Sequence, residues 1–301
     1  MTPMNRRGLL GAGLGSGLAL LGPATPLSAQ DPDTDAENRA SIGRTPHTRF
    51  AVNVEMWWRG LPFLERIARA AELGFPAVEF WPWKGKDLAG VEETCGELGI
   101  AVAQFTAWGF NPGLNDPRNH DAFEGAIGEA CEVAQRLGAR HATVVAGNDQ
   151  PGVSQEEMHA HVTAGLRRVA PLAEAADVTL ILEPMNVRVD HVGHCLYGSP
   201  AAVKICRDVD SSHVKINWDL YHMQISEGDL CGRLREGFDQ VGYLQLADHP
   251  GRNEPGTGEI HYPRVLRQAH ELGYRGFVGL ECRPRHGELE AARAVARADR
   301  W

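Results

Sequence analysis

Several absences narrow this 301-residue chain before any motif is read. No apolar run reaches the ~20 residues that a membrane-spanning helix requires. Positive charge is in deficit: 30 Lys and Arg stand against 39 Asp and Glu, for a formal charge of -9. With its basic residues also scattered, the chain lacks the electrostatic footprint of a nucleic-acid groove. None of the six cysteines (Cys95, Cys131, Cys195, Cys206, Cys231 and Cys282) belongs to a C-x-x-C pair. A zinc ribbon and a thioredoxin-type redox motif are therefore not indicated, and isolated half-buried thiols are the simpler reading. One or two disulfides stay open if the protein is exported. The remaining composition, 43% apolar and 23% charged, is that of an ordinary soluble globular protein. The length suits one large domain or two small ones.

The first 29 residues do not read as part of the fold. Arg6-Arg7 precedes a weakly apolar, glycine-rich stretch from Gly8 to Leu21, then the small-residue cleavage signal Leu27-Ser28-Ala29. Asn5-Arg6-Arg7-Gly8-Leu9-Leu10 resembles a twin-arginine export signal, which implies a periplasmic protein exported already folded. Such a route suits an enzyme that must take up its metal before leaving the cytoplasm, because metal binding and folding are coupled. Residues 30–48 are polar and rich in Asp, Pro, Thr and Arg, and are expected to form a flexible linker.

From residue 49 to 301 a β-then-α rhythm runs without interruption. Strands are expected near 50–55, 77–81, 101–107, 141–146, 179–183, 214–219, 241–247 and 276–282. Helices are expected near 62–73, 88–98, 119–137, 154–176, 199–208, 229–238, 261–273 and 287–299. Four of the helices stop on Leu-Gly, at Gly74, Gly99, Gly138 and Gly273, a C-terminal cap leading into a strand. Ser154 opens a capping box, and Ser199-Pro200 offers a cap with Pro in the first turn. Eight such units in about 250 residues match a closed (β/α)8 TIM barrel. An open doubly wound sheet is the alternative, but no G-x-G-x-x-G follows the first strand.

A barrel should carry its functional residues at strand C-termini, and the unusual polar residues fall there. Leu180-Ile181-Leu182-Glu183 is an apolar run that ends in an acid. The pattern recurs at Asp219, Gln245 and Glu281, in steps of 36, 26 and 36 residues. Three carboxylates and one amide oxygen from strands 5 to 8 form a hard oxygen set suited to Mg²⁺ or Mn²⁺. Without a cation, three converging half-buried carboxylates would repel one another. The bland alternative pairs each acid separately with Arg or Lys at the rim. A divalent ion can polarise a carbonyl and an adjacent hydroxyl, and the two outer acids, Glu183 and Glu281, can then shuttle a carbon-bound proton. His222, three residues past Asp219, could donate to the oxygen that gathers negative charge. Further polar residues at strand ends are Glu55, Glu79, Gln104, Asp248 and His249. In the Gly- and Pro-rich stretch from Asp248 to Ile260, Arg252 offers a planar fork to a carboxylate or to sugar hydroxyls, or is merely solvated beside Glu254. Trp57, Trp58, Trp81, Trp83 and Trp108 follow strands 1 to 3 and form either an aromatic wall or simple rim packing. Arg252, His249, Trp108 and Glu79 are the candidates for contact with a substrate.

Four motifs carry a family resemblance: Leu182-Glu183-Pro184-Met185-Asn186, Asn217-Trp218-Asp219-Leu220-Tyr221-His222-Met223-Gln224, the Asp248–Ile260 loop, and Gly279-Leu280-Glu281-Cys282. Over roughly residues 49–285 they resemble the xylose isomerase-like TIM-barrel superfamily, most nearly its hydroxypyruvate isomerase branch. The resemblance implies that Glu183, Asp219, Gln245 and Glu281 ligate Mg²⁺ or Mn²⁺, with Glu183 and Glu281 as the acid/base pair. Related ketose 3-epimerases have histidine where this chain has Gln245, which favours the hydroxypyruvate isomerase branch. The expected reaction interconverts hydroxypyruvate and tartronate semialdehyde through an enediolate. A ketose 3-epimerase or an oxo-sugar lyase acting on a larger carbohydrate is the alternative. A non-catalytic sugar-binding barrel is a further one. The superfamily's DNA-repair endonucleases would need a histidine-rich multi-zinc site and a basic face, and the charge of -9 and the oxygen-only ligand set argue against that branch. The expected partner is a small molecule, and association of identical chains stays open.

Overall fold

A computed structural model describes residues 40–301. The export signal over 1–29, and the linker as far as residue 39, lie outside the described residues. From 40 to 48 the chain is docked, contrary to the linker expectation. Gly43 N–H donates to Leu73 O at 2.7 Å, and the N–H groups of His47 and Thr48 donate to Asp299 Oδ2 at 2.8 and 3.0 Å. These backbone donors find acceptors on the barrel, which fixes a segment whose polar composition alone reads as mobile.

Eight strands alternate with helices: β1 Arg49–Asn53, α1 Phe63–Glu72, β2 Ala77–Pro82, α2 Leu88–Leu98, β3 Ala101–Trp108, α3 His120–Leu137, β4 His141–Val145, α4 Gln155–Ala176, β5 Thr179–Glu183, α5 Ser199–Val209, β6 Val214–Asp219, α6 Leu220–Ser226, α7 Leu230–Glu236, β7 Val241–Leu246, α8 Tyr262–Glu271, β8 Phe277–Leu280 and α9 Glu288–Ala298. Neighbouring strands pair in parallel and β1 pairs with β8, so the sheet is a closed barrel. The chain is thus a (β/α)8 barrel, and the open doubly wound sheet is excluded. Gly99 and Gly138 cap their helices in the left-handed region, and Ser154 Oγ accepts from Glu157 N–H at 3.2 Å. Ser199 does not cap α5. Gly198 holds that position, and Ser199 N–H instead donates to Glu227 Oε1 at 3.1 Å.

Because side chains alternate along a strand, the barrel interior fills in tiers. The lowest holds Ala51, Ala77, Ala103, Ile181 and Tyr243, with Phe277 packed against them. The tier above is polar and buried. Asn53, Glu79, Gln104, Thr143, Asn217 and Gln245 link across strands, and Gly279 lies among them. A Cβ on Gly279 would come within 2.2 Å of Glu79 Oε2, so only glycine leaves room for that carboxyl group. The uppermost tier, at the strand C-termini, carries the acids. Lys215 is no partner for them, since its Nζ reaches Asp239 O at 3.2 Å and Gln240 Oε1 at 3.3 Å.

Candidate active site

Glu183 closes β5, Asp219 closes β6, and Glu281 follows β8 directly. Strand geometry alone brings these three acids to one end of the barrel. His222 joins them through α6, a helix the sequence reading did not anticipate. Asp219 both ends the strand and caps this helix, its Oδ1 accepting from Tyr221 N–H at 2.8 Å. One turn later the chain places His222 back over the acids. Ligand atoms of Glu183, Asp219, His222 and Glu281 all lie within 4.8 Å of one another, and all four residues are buried.

Such crowding has electrostatic consequences. Burial, then repulsion from Glu281 and Asp219, pushes the Glu183 carboxyl well above the ordinary carboxylate range. Burial and Glu281 push Asp219 up to about 8, with Arg252 opposing. Burial first, then the Arg252 charge, holds His222 well below the usual imidazole range, so the ring is neutral. Arg252 supplies the compensating charge. Its Nη2 lies 2.7 Å from Glu281 Oε2, 3.8 Å from Asp219 Oδ2 and 3.5 Å from His222 Nε2. Arg252 reaches this position from a left-handed backbone conformation, φ 55°. Asp248 folds the surrounding loop, its Oδ1 accepting from the N–H groups of His249 and Ile260 and its Oδ2 from Gly256 N–H. Trp81 Nε1 donates to Glu281 Oε1 at 2.7 Å, so both oxygens of Glu281 are anchored. Among the described residues, none hydrogen-bonds the Glu183 carboxylate.

The donor set fits a divalent ion. A six-coordinate ion with bonds of about 2.1 Å separates its ligand atoms by roughly 3.0 to 4.2 Å, and the atoms of the cluster, all within 4.8 Å of one another, are close to that spacing. Among the described residues, Asp219 Oδ2 and Asn217 Oδ1 are buried without a hydrogen-bond partner, as oxygens suited to a cation would be. Gln245 lies beside Asp219, their Cα atoms paired across β6 and β7. Its Nε2 donates to Glu79 Oε1 at 2.8 Å and its Oε1 accepts from Asn217 Nδ2 at 2.6 Å, leaving the oxygen one free lone pair.

A cavity of about 760 Å³ opens above the cluster. Glu183, Glu281, His222 and Arg252 form one wall, and Trp81, Trp83, Trp108 and Phe110 line another. Trp108 borders this cavity, and among the described residues its buried Nε1 has no hydrogen-bond partner. Trp57 is fully buried and packs against Trp58 and Phe75, outside this wall. Two expected contact residues do not border the cavity. Glu79 is fully buried one tier lower, surrounded by donors from Asn53, Gln104, Tyr243 and Gln245. Burial and Glu281 raise its carboxyl to about 7 against those hydrogen bonds. His249 packs at a tilt on Tyr221, away from the cavity lining, at 5.9 Å between ring centroids. Sequence reasoning missed the bond from Trp81 to Glu281. It also missed a chain running from Tyr221 Oη to Asp190 Oδ2 (2.9 Å), to Asn186 Nδ2 (2.7 Å) and on to His222 Nδ1 (2.7 Å). Asn186 was visible in the Glu183–Asn186 motif, but nothing in the sequence ties it to a histidine 36 positions away.

A family model described as a xylose isomerase-like TIM barrel matches residues 67–299. Hydroxypyruvate isomerase of Escherichia coli (strain K12) is 32% identical over 242 residues, covering 78% of this chain and 93% of that protein. A 2-oxo-tetronate isomerase of Cupriavidus necator is 35% identical over 246 residues, covering 79% of this chain and 94% of that protein. Among solved structures, an AP endonuclease, family 2, from Brucella melitensis superposes with a TM-score of 0.76. It is 27% identical, over 81% of this chain and 96% of that one.

Proposed function

The chain belongs to the xylose isomerase-like TIM-barrel family and is an isomerase, and we propose that it moves a proton next to a carbonyl through an enediolate, first of all between hydroxypyruvate and tartronate semialdehyde. The observation that carries this reading is the placement of Glu183 and Glu281 at one cavity wall with the neutral His222 and the cationic Arg252 beside them. Glu183, raised in basicity and free of side-chain hydrogen bonds, is the residue suited to take the proton from carbon. Glu281 is held at both oxygens by Trp81 and Arg252, and its fixed orientation suits it to the neighbouring carbon, where it takes a proton when it enters the cycle ionised and returns one when it enters protonated. His222 is placed to donate to the substrate oxygen as it gains charge, and Arg252 adds a positive field. A divalent ion such as Mg²⁺ or Mn²⁺, held by Glu183, Asp219, Gln245 and Glu281, would polarise the carbonyl and acidify the carbon-bound proton.

A second reading, a larger uncharged carbohydrate handled in the manner of a ketose 3-epimerase or an oxo-sugar lyase, is favoured by the cavity itself. At about 30 Å³ per water the cavity corresponds to roughly 25 waters, whereas a three-carbon acid displaces only about four. Three carboxylates would be neutralised by Arg252 and one divalent ion together, which leaves no spare cation among the described residues of the cavity lining for a substrate carboxylate. Lys84 borders the cavity but is paired with Glu129 at 2.8 Å. Deuterium exchange from solvent with Mn²⁺-loaded protein separates the two readings. Exchange into hydroxypyruvate but not into ketohexoses supports the first, and the reverse supports the second. In either case Glu281→Gln should lower the exchange rate about 10²- to 10⁴-fold, and an unchanged rate would exclude the two-carboxylate mechanism. Residues 1–29 add the proposal that the protein acts in the periplasm, exported by the twin-arginine route.

A further inference from the structure

Asn186 touches neither the cavity nor an acid of the cluster, yet its hydrogen bonds dictate the chemistry of His222. The Asn186 side-chain oxygen accepts from the backbone N–H groups of Val189 (3.0 Å) and Asp190 (3.1 Å). Only a carbonyl oxygen can receive two N–H donors, so the orientation of this amide is settled by its surroundings. Its NH₂ group must then face Asp190 Oδ2 and His222 Nδ1, each at 2.7 Å. Both amide hydrogens have a role, one bound to a carboxylate and the other to the ring nitrogen. Asp190 is secured in turn by Tyr221 Oη at 2.9 Å.

We infer that Asn186 is a positioning residue that fixes His222 as a neutral imidazole with its lone pair on Nδ1 and its proton on Nε2. The Nε2–H then points into the acid cluster, 3.5 Å from Asp219 Oδ2 and 3.8 Å from Glu183 Oε1. A protonated nitrogen cannot ligate a cation. Although His222 lies among groups spaced for a metal ion, it is thereby removed from the ligand set and kept as a hydrogen-bond donor. Arg252 Nη2 also faces the same nitrogen, at 3.5 Å, but a neutral ring can accept at only one of its nitrogens, and the 2.7 Å approach of Asn186 to Nδ1 is much the shorter of the two. The consequence for turnover rests on the proton-transfer reading above. The tautomer itself does not.

Protein labelled with ¹⁵N-histidine tests the assignment by long-range ¹H–¹⁵N correlation, which reads each ring nitrogen as protonated or as bearing a lone pair. His222 is identified by the signals missing from His222→Gln. In chelator-treated parent, and again in Mg²⁺, Nδ1 should be of the lone-pair type and Nε2 protonated. The double substitution Asn186→Asp with Asp190→Asn keeps the net charge and replaces the donor facing Nδ1 by an acceptor. The two nitrogen types should then exchange, and kcat for solvent exchange should fall about 10²- to 10³-fold while KM changes little. Asn186→Ala, which removes the donor without adding an acceptor, should give signals averaged between the two types. A lone pair on Nε2 in the parent, loss of the Nε2 proton on adding Mg²⁺, or an inverted tautomer with unaltered kcat would overturn the inference. No exchange with any hydroxycarbonyl compound would instead overturn the reaction reading and leave the parent spectrum to decide the tautomer.

Discussion

Arg252→Met removes the one cation that the described residues place among three buried acids, and the cost can be worked from the distances. At an effective dielectric near 20, charges 2.7 and 3.8 Å apart attract by about 6 and about 4 kcal/mol. Holding a guanidinium with only 15% of its side chain exposed opposes this by several kcal/mol of lost hydration. Breaking a buried pair from one side typically costs about 3–5 kcal/mol, because the remaining charge is stranded. For a barrel of this size that corresponds to a fall in Tm of roughly 6–20 °C. The measurement is urea unfolding followed by far-UV circular dichroism at pH 8, where protonating the acids gives the least relief, first in chelator and then in saturating Mg²⁺. The variant should be the less stable in chelator, and Mg²⁺ should narrow the gap, because an uncompensated acid cluster holds the ion more tightly. Equal stability in chelator, or a gap that widens with Mg²⁺, would refute the view of Arg252 as the resident counter-charge.

Two further outcomes are expected. Glu79 keeps its proton up to about pH 7 when folded, against an ordinary value of 4.5. Between those limits the native state binds the extra proton, so stability falls as pH rises, by about 3 kcal/mol in all. Glu79→Gln should flatten that slope when unfolding in chelator is compared at pH 4.5 and pH 7.5, and an undiminished slope would show that Glu79 does not titrate in this range. Replacing Arg6 and Arg7 together by Lys should leave the protein in the cytoplasm of an expressing bacterium, as read by fractionation, whereas continued export would remove the twin-arginine assignment.

The barrel was legible because its signals repeat: apolar runs that end in acids, Leu-Gly helix stops, and a regular spacing. Depth was harder to read. Glu79 and Trp81 share a strand and, two residues apart, a face, so nothing local says which of them stands at the mouth. Closure of the barrel decides it, placing Trp81 against Glu281 and Glu79 one tier lower. His249 was misjudged for a similar reason: it follows a strand end, but the loop that Asp248 ties together turns its ring behind Tyr221. The helix carrying His222 escaped notice because Leu220–Ser226 is only seven residues long and takes its cap from Asp219, a residue already read as a ligand. The role of Asn186 depends on contacts between loops that no sequence period encodes.

The buried polar tier beneath the acids behaves as a hoop. Its bonds pass from Asn53 to Glu79, Gln104 and Thr143 on one side, and from Glu79 through Gln245 to Asn217 on the other, bracing six of the eight strands. Sliding any one of those strands along its neighbour would break side-chain bonds as well as ladder bonds. Of the three acids, Asp219 alone ends a strand braced in this way; Glu183 on β5 and Glu281 after β8 stand on the two strands the hoop leaves out, and Glu281 takes its anchors from Trp81 and from Arg252 in the loop after β7. Such a frame lets overlying loops other than the one carrying Arg252 be exchanged or lengthened while the six braced strands keep their register.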